Sequence, residues 1–211
     1  ELYRMVLRQS AEFLKETLNE QQRKHMKRSR PKILLATNLD DAMAMYEKYK
    51  SNLLGVISDV GFCEHRDERP EDEKLDAGLD LVRHIKADDP KMPILLQSSQ
   101  DSISAVAEEL GVGFLRKYSK TLMIQLYEYI KEEFAFGDFV FRDADRVEYG
   151  RAANLKELEI LMREVPENIL LANTSKNMLS KWFMARGLFT LGAKFKKVLE
   201  SQFANVAELR A

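Results

Sequence analysis

Residue types that can handle a phosphoryl group stand at the ends of short apolar runs. Val56-Ile57-Ser58 leads into Asp59, a carboxylate able to act as a nucleophile. Ile94-Leu95-Leu96-Gln97 leads into Ser98 and Ser99, whose hydroxyls can hydrogen-bond an oxyanion. Gly113-Phe114-Leu115-Arg116 leads into Lys117, an ammonium able to neutralise phosphoryl oxygens. Alone, an aspartate after a strand is an ordinary helix-capping residue. A carboxylate, a hydroxyl and a lysine on adjacent strand ends form a phosphoryl-accepting site.

The elements that must position them follow from the hydrophobic pattern. Residues 33–36, 53–58, 93–96 and 113–115 are apolar without polar alternation, which predicts strands buried on both faces. Helical periodicity covers residues 39–49, 77–87, 103–110 and 121–134. Strand and helix alternate through short connections, so the expectation is a doubly wound parallel α/β sheet. Ligand chemistry in such sheets gathers at the carboxyl ends of the strands. Ahead of them, Leu2, Met5, Val6, Phe13, Leu14 and Leu18 predict one long helix over residues 1–28 that Pro31 stops. Its basic end, from Arg23 to Arg30, is expected to be solvated.

The stretch 63–76 is rich in Glu, Asp and Arg and has no apolar period, predicting a mobile acidic loop beside the end of the second run. Cys63 and His65 lie within it, but a metal site needs further ligands. His84 falls on a helix as a surface or partly packed side chain. Beyond Phe134, the aromatic segment 136–143 predicts a strand or buried linker. Helices over 155–165, 176–186 and 188–199 follow, with Asn154 and Thr174 or Ser175 as N-caps. Trp182, Phe183, Phe189 and Phe195 sit at helical spacing, as core residues do.

Composition narrows the function classes. The chain has 211 residues, 45% hydrophobic and 32% charged, which excludes a disordered or disulfide-stapled chain. Its formal net charge of −1 gives no argument for nucleic acid or membrane as partner. The single cysteine, Cys63, fits a reducing cytosol, and no apolar run approaches the roughly 18 residues of a membrane span. The expected location is cytoplasmic.

Residues 1–134 resemble a bacterial response-regulator receiver domain, a flavodoxin-like fold of two-component signalling. The resemblance implies that Asp59 is the phospho-acceptor, that Ser98 and Lys117 bind the phosphoryl group, and that Ser98 and Phe114 are the switch pair. It implies magnesium, held by Asp59 and the Gly61 carbonyl, and a histidine kinase or small phosphodonor as partner. Tyr118 stands where the family has a proline after the lysine, which leaves the usual cis bond open. The family's magnesium-binding acid pair precedes two strands and two helices, whereas Thr37 to Asp59 leaves room for one of each. Residues 33–36 thus match the family's second strand. The first strand, with its acids, is expected upstream of Glu1 or absent, and Asp40 and Asp41 are helix N-terminal acids.

Residues 135–211, through Phe136-Gly137-Asp138-Phe139, Asn154-Leu155-Lys156-Glu157-Leu158 and Asn177 to Arg186, resemble the linker in phosphoenolpyruvate synthase-like (pyruvate, phosphate dikinase-like) proteins. That linker follows an N-terminal receiver-like region and precedes the nucleotide-binding domain. This chain has no Gly-rich nucleotide loop and no phospho-histidine domain, so it is not expected to be an enzyme by itself. The function implied is a phosphorelay receiver regulating an attached or partner enzyme domain. The alternative is a phosphorylation-independent pseudo-receiver that docks proteins. An enzyme on the same fold would need a second catalytic group near Asp59 or a loop that cradles phosphate, and the sequence shows neither. A DNA-binding output lacks a basic recognition face. A homodimer through the long first helix stays open.

Overall fold

The computed structural model describes residues 20, 32–174 and 177–200. The predicted helix over 1–28, its basic end and the candidate cap Ser175 lie outside them. The chain divides into two compact units, one of them Lys32–Tyr129 and the other including everything described from Ile130 onward. The division falls inside a helix, a few residues before the composition change after Phe134.

The first unit is α/β. Its elements are α1 (Leu39–Tyr49), β1 (Val56–Asp59), α2 (Ala77–Asp88), β2 (Ile94–Ser98), α3 (Ile103–Glu109), β3 (Gly113–Arg116) and the greater part of α4 (Leu122–Glu132). The strands form a parallel sheet in the order β1-β2-β3. Every residue of the central strand β2 is buried, which its uninterrupted apolar run requires.

Local signals explain where the helices begin and what they bury. The Asn38 side chain caps α1 by accepting from the Asp41 amide at 2.8 Å, with Asp40 and Asp41 in the first turn where the helix dipole favours them. α1 buries Leu39 and Tyr46, and the Tyr46 hydroxyl donates to Asp88 at 2.8 Å, tying α1 to the end of α2. Burial and this carboxylate raise the Tyr46 pKa. α2 buries Leu81, Val82 and Ile85 into the core that Ile94 and Leu96 share. Each such side chain contributes roughly 1.5–3 kcal/mol.

One expected strand does not form. Residues 33–36 have no ladder partner, and Leu35 is 72% exposed. Only Asn38 makes an isolated parallel bridge, to Cys63. An apolar run becomes a strand only where another strand offers its hydrogen-bonding edge. Among the described residues none is beside this one.

Among its described residues, the second unit holds the end of α4, then a hairpin and four further helices. β4 (Phe139–Arg142) pairs antiparallel with β5 (Glu148–Ala152), and α5 (Leu155–Glu164), α6 (Glu167–Thr174), α7 (Met178–Ala185) and α8 (Phe189–Glu200) follow. Phe139, Phe141, Leu158, Leu170, Trp182 and Phe183 form its core. Phe195 packs against that core, whereas Phe189 is 48% exposed and departs from the expected aromatic core. The aromatic segment is therefore a strand. Its partner β5 and helix α6 are additions to the expected elements. Asn154 caps α5 as expected, accepting from Glu157 at 3.0 Å. α7 starts later than expected, at Met178 after Asn177, and Thr174 is the last residue of α6.

Candidate functional site

The sheet register sets the site. Asp59 is level with Gln97 on β2, and Gln97 is level with Leu115 on β3. Residues paired across parallel strands point to the same face, and side chains alternate along each strand. Asp59, Gln97 and Lys117 thus come together at the carboxyl edge of the sheet, with Gln97 on the middle strand. Lys117 Nζ reaches Asp59 Oδ1 at 3.1 Å, and the Lys117 amide donates to the Ser98 carbonyl at 2.8 Å. Asp59 and Lys117 side chains are 48% and 32% exposed, open to a reactant from solvent.

Ser98 is buried, and its Oγ accepts from the Gln100 amide at 3.1 Å, which leaves the hydroxyl proton available to a ligand. A cavity of about 110 Å³ beside Lys117 is lined by Gly61, Glu73, Leu75, Gln97 and Ser98 among others. It adjoins a wider cleft at Ser99, Arg116, Lys117 and Tyr118. The predicted Asp59, Ser98, Lys117 and Gly61 therefore gather at one edge. Phe114 does not line either cavity; it packs partly buried against the core of α2 and β2. The Lys117–Tyr118 bond is trans, and Tyr118 takes a left-handed φ of 64° with its ring 91% exposed.

Gly78 shows how tightly the Asp59 end of β1 is held. Its amide donates to the Val60 carbonyl at 2.8 Å, and a Cβ there would overlap the Asp59 carbonyl oxygen. Any larger residue would move the strand end that carries the carboxylate.

Glu73 and Gln97 are additions to the predicted set. A Cβ on Gly61 would meet the Glu73 carboxylate, so this acid stands over Gly61 at the cavity. Its signal, one acid among many in the loop, was indistinct in the sequence. The resemblance implies magnesium, and the donors present are hard oxygens: the Asp59 and Glu73 carboxylates and the Gly61 carbonyl. Two carboxylates and one carbonyl would leave much of a magnesium ion's shell to water, and no group of three or more His, Cys, Asp or Glu side chains able to hold a metal occurs among the described residues.

The acidic loop is tethered. The Leu39 and Asp40 amides donate to the Cys63 and Glu64 carbonyls at 3.0 and 3.1 Å, and Phe62 bridges Lys74. Arg66 meets Asp41 at 2.8 Å, and Lys74 meets Glu64 and Asp80 at 3.2 and 2.9 Å. His65 Nδ1 lies 2.8 Å from Asp40 Oδ2, with Glu68 at 4.0 Å. His65 is thus an ion-pair partner, and Cys63 Sγ contacts the Arg69 carbonyl at 3.5 Å. His84 is on the surface as expected, against Glu47 at 3.1 Å.

The hydrogen bond that His65 donates to Asp40, with the charges of Asp40, Glu68 and Glu64, raises the His65 pKa above its ordinary 6.5. A folded pKa above the unfolded one adds tether stability that is complete below pH 6.5 and lost as pH rises through the folded value. Hydrogen exchange at Leu39 and Asp40 should therefore show a wild-type excess of protection over His65→Gln in acid, vanishing in alkali. Equal protection in both proteins at every pH would remove His65 from the tether.

No protein-family model matches the chain, and neither a curated protein nor a solved structure matches it. No helix among the described residues is long and apolar enough to cross a membrane.

Proposed function

We propose that this chain carries a doubly wound, flavodoxin-like receiver module in which Asp59 accepts a phosphoryl group. The observation that carries the reading is the Lys117–Asp59 contact of 3.1 Å at aligned strand ends, with the buried Ser98 hydroxyl beside it. A carboxylate oxygen of Asp59 attacks the phosphorus of a phosphohistidine or acyl phosphate. One P–O bond forms while the bond to the leaving imidazole or carboxylate breaks, and the leaving group keeps the electron pair. Lys117 neutralises charge on the transferring oxygens, and the Ser98 hydroxyl donates to one of them. Magnesium, when bound, would supply further charge neutralisation at those oxygens.

The output in this reading is regulation of an attached or partner enzyme domain in the cytoplasm, as the phosphoenolpyruvate synthase-like resemblance of residues 135–211 suggests. Intact mass after incubation with magnesium and acetyl phosphate tests it. A gain of one phosphoryl group is expected, and no gain by a folded protein would leave the docking pseudo-receiver. Lys117→Ala should slow that gain on the order of a hundredfold, the usual effect of losing an oxyanion partner. An unchanged rate would remove Lys117 from the site.

A further inference from the structure

We infer that Gln97 is a third donor to the phosphoryl group at Asp59, a role that rests on the receiver reading above. Gln97 is 8% exposed, and its Nε2 is buried without a hydrogen-bond partner among the described residues. A primary amide supplies two N–H donors, and a native fold rarely leaves such a group bare. The register explains what it faces. Gln97 sits level with Asp59 on one side and Leu115 on the other, at the carboxyl edge where Lys117 meets Asp59. It also lines the cavity against which Lys117 and Ser98 stand.

The cavity sets donors beside one acid, Glu73. Lys117 Nζ and the Ser98 hydroxyl are donors there, the latter because Oγ already accepts from Gln100. A third donor beside them suits an oxyanion with several lone pairs, as a tetrahedral phosphoryl group has. β2 is otherwise apolar up to this residue, with Ile94, Leu95 and Leu96 at most 1% exposed. A leucine at 97 would fill the same space without a bare amide. The glutamine costs folding stability and is repaid only when a ligand accepts from it.

Two measurements on the full chain test this. In the wild type, the Gln97 side-chain amide resonances should shift on adding beryllium fluoride and magnesium, a phosphoryl mimic. Gln97→Leu should take up phosphate from acetyl phosphate about tenfold more slowly, equivalent to about 1.4 kcal/mol, while its Tm is equal to or above that of the wild type. A merely structural Gln97 would instead lower Tm and leave the rate alone. Phosphorylation of Gln97→Leu within twofold of a readily phosphorylated wild type, or an unmoved Gln97 amide in that protein, would overturn the assignment while sparing the receiver reading. A wild type that takes neither phosphoryl group nor beryllium fluoride would overturn both.

Discussion

Asp59→Asn abolishes the acyl phosphate and leaves thermal stability nearly unchanged: that is the expected result of intact-mass analysis beside a melting curve. An amide oxygen is not a nucleophile of carboxylate strength, and among the described residues no other carboxylate occupies a strand end of this sheet. A nearby acid is Glu73, which stands over Gly61 from the loop, while the Lys117 ammonium pairs with Asp59. The whole phosphoryl signal should therefore be lost. Stability should hold because what the substitution removes is one ion pair between side chains 48% and 32% exposed, worth about 0–1 kcal/mol. The backbone of Asp59 stays in its ladder with β2 and in contact with Gly78. A melting point lowered by more than about 8 °C, on the order of 2 kcal/mol for a domain of this size, would make Asp59 a structural residue. A persisting acyl phosphate would place the acceptor elsewhere, with Glu73 the first candidate.

The edge carrying this site was legible because parallel strands align their carboxyl ends, so the residue following each apolar run is brought to the same place. Asp59, Ser98 and Lys117 needed no more than that rule. Gln97 sat inside one of those runs and passed as part of the strand, since neither its burial nor its missing partner is a property of the local sequence. The tether of the loop joins His65 to Asp40 and Arg66 to Asp41 across 25 residues each, beyond any local pattern. The loop's lack of an apolar period implied mobility, whereas charge pairing gives it partners.

The misread strands have a common cause. Residues 33–36 are apolar enough for a strand, but pairing depends on a neighbour that composition does not report. β5 errs the opposite way: Glu-Tyr-Gly-Arg-Ala has no alternation and an exposed face, yet Phe139, Val140 and Phe141 pair with it. Its signal lies in the turn, where the Asp143 carboxylate accepts from Val147 at 2.9 Å and Arg146 takes a φ of 63°. Asn173 completes the other edge of β4, bonding the Arg142 amide and carbonyl at 3.2 and 2.7 Å as a strand would.

Arg186→Ala should be the most destabilising single substitution in the second unit. The guanidinium is 3% exposed, donates to the Ala135 carbonyl at 3.1 Å, the Trp182 carbonyl at 3.3 Å and the Gly137 carbonyl at 2.8 Å, and stacks 3.7 Å from the Trp182 ring. Burial pulls its pKa down to about 9, opposed by the charge of Asp138, so it is still a cation at neutral pH. Two effects compete when it is removed. Losing a buried cation relieves its desolvation cost. Against that, the Ala135 carbonyl is left bare, a cavity opens under Trp182, and the stacking contact is lost. Gly137 keeps a donor, because Trp182 Nε1 also reaches its carbonyl at 3.0 Å. The unmade bond and the cavity together outweigh the relief, giving a net loss of about 3 kcal/mol. For a unit of this size that lowers Tm by on the order of 15 °C. Arg186→Met separates the two effects: it refills the cavity and removes the charge, so its loss should be less than half as large. If instead Arg186→Ala melts within about 4 °C of the wild type, roughly 1 kcal/mol, the guanidinium does not hold residues 135–137 to α7. Equal losses in both variants would assign the stability to the charge-assisted hydrogen bonds alone, and packing under Trp182 would carry none of it.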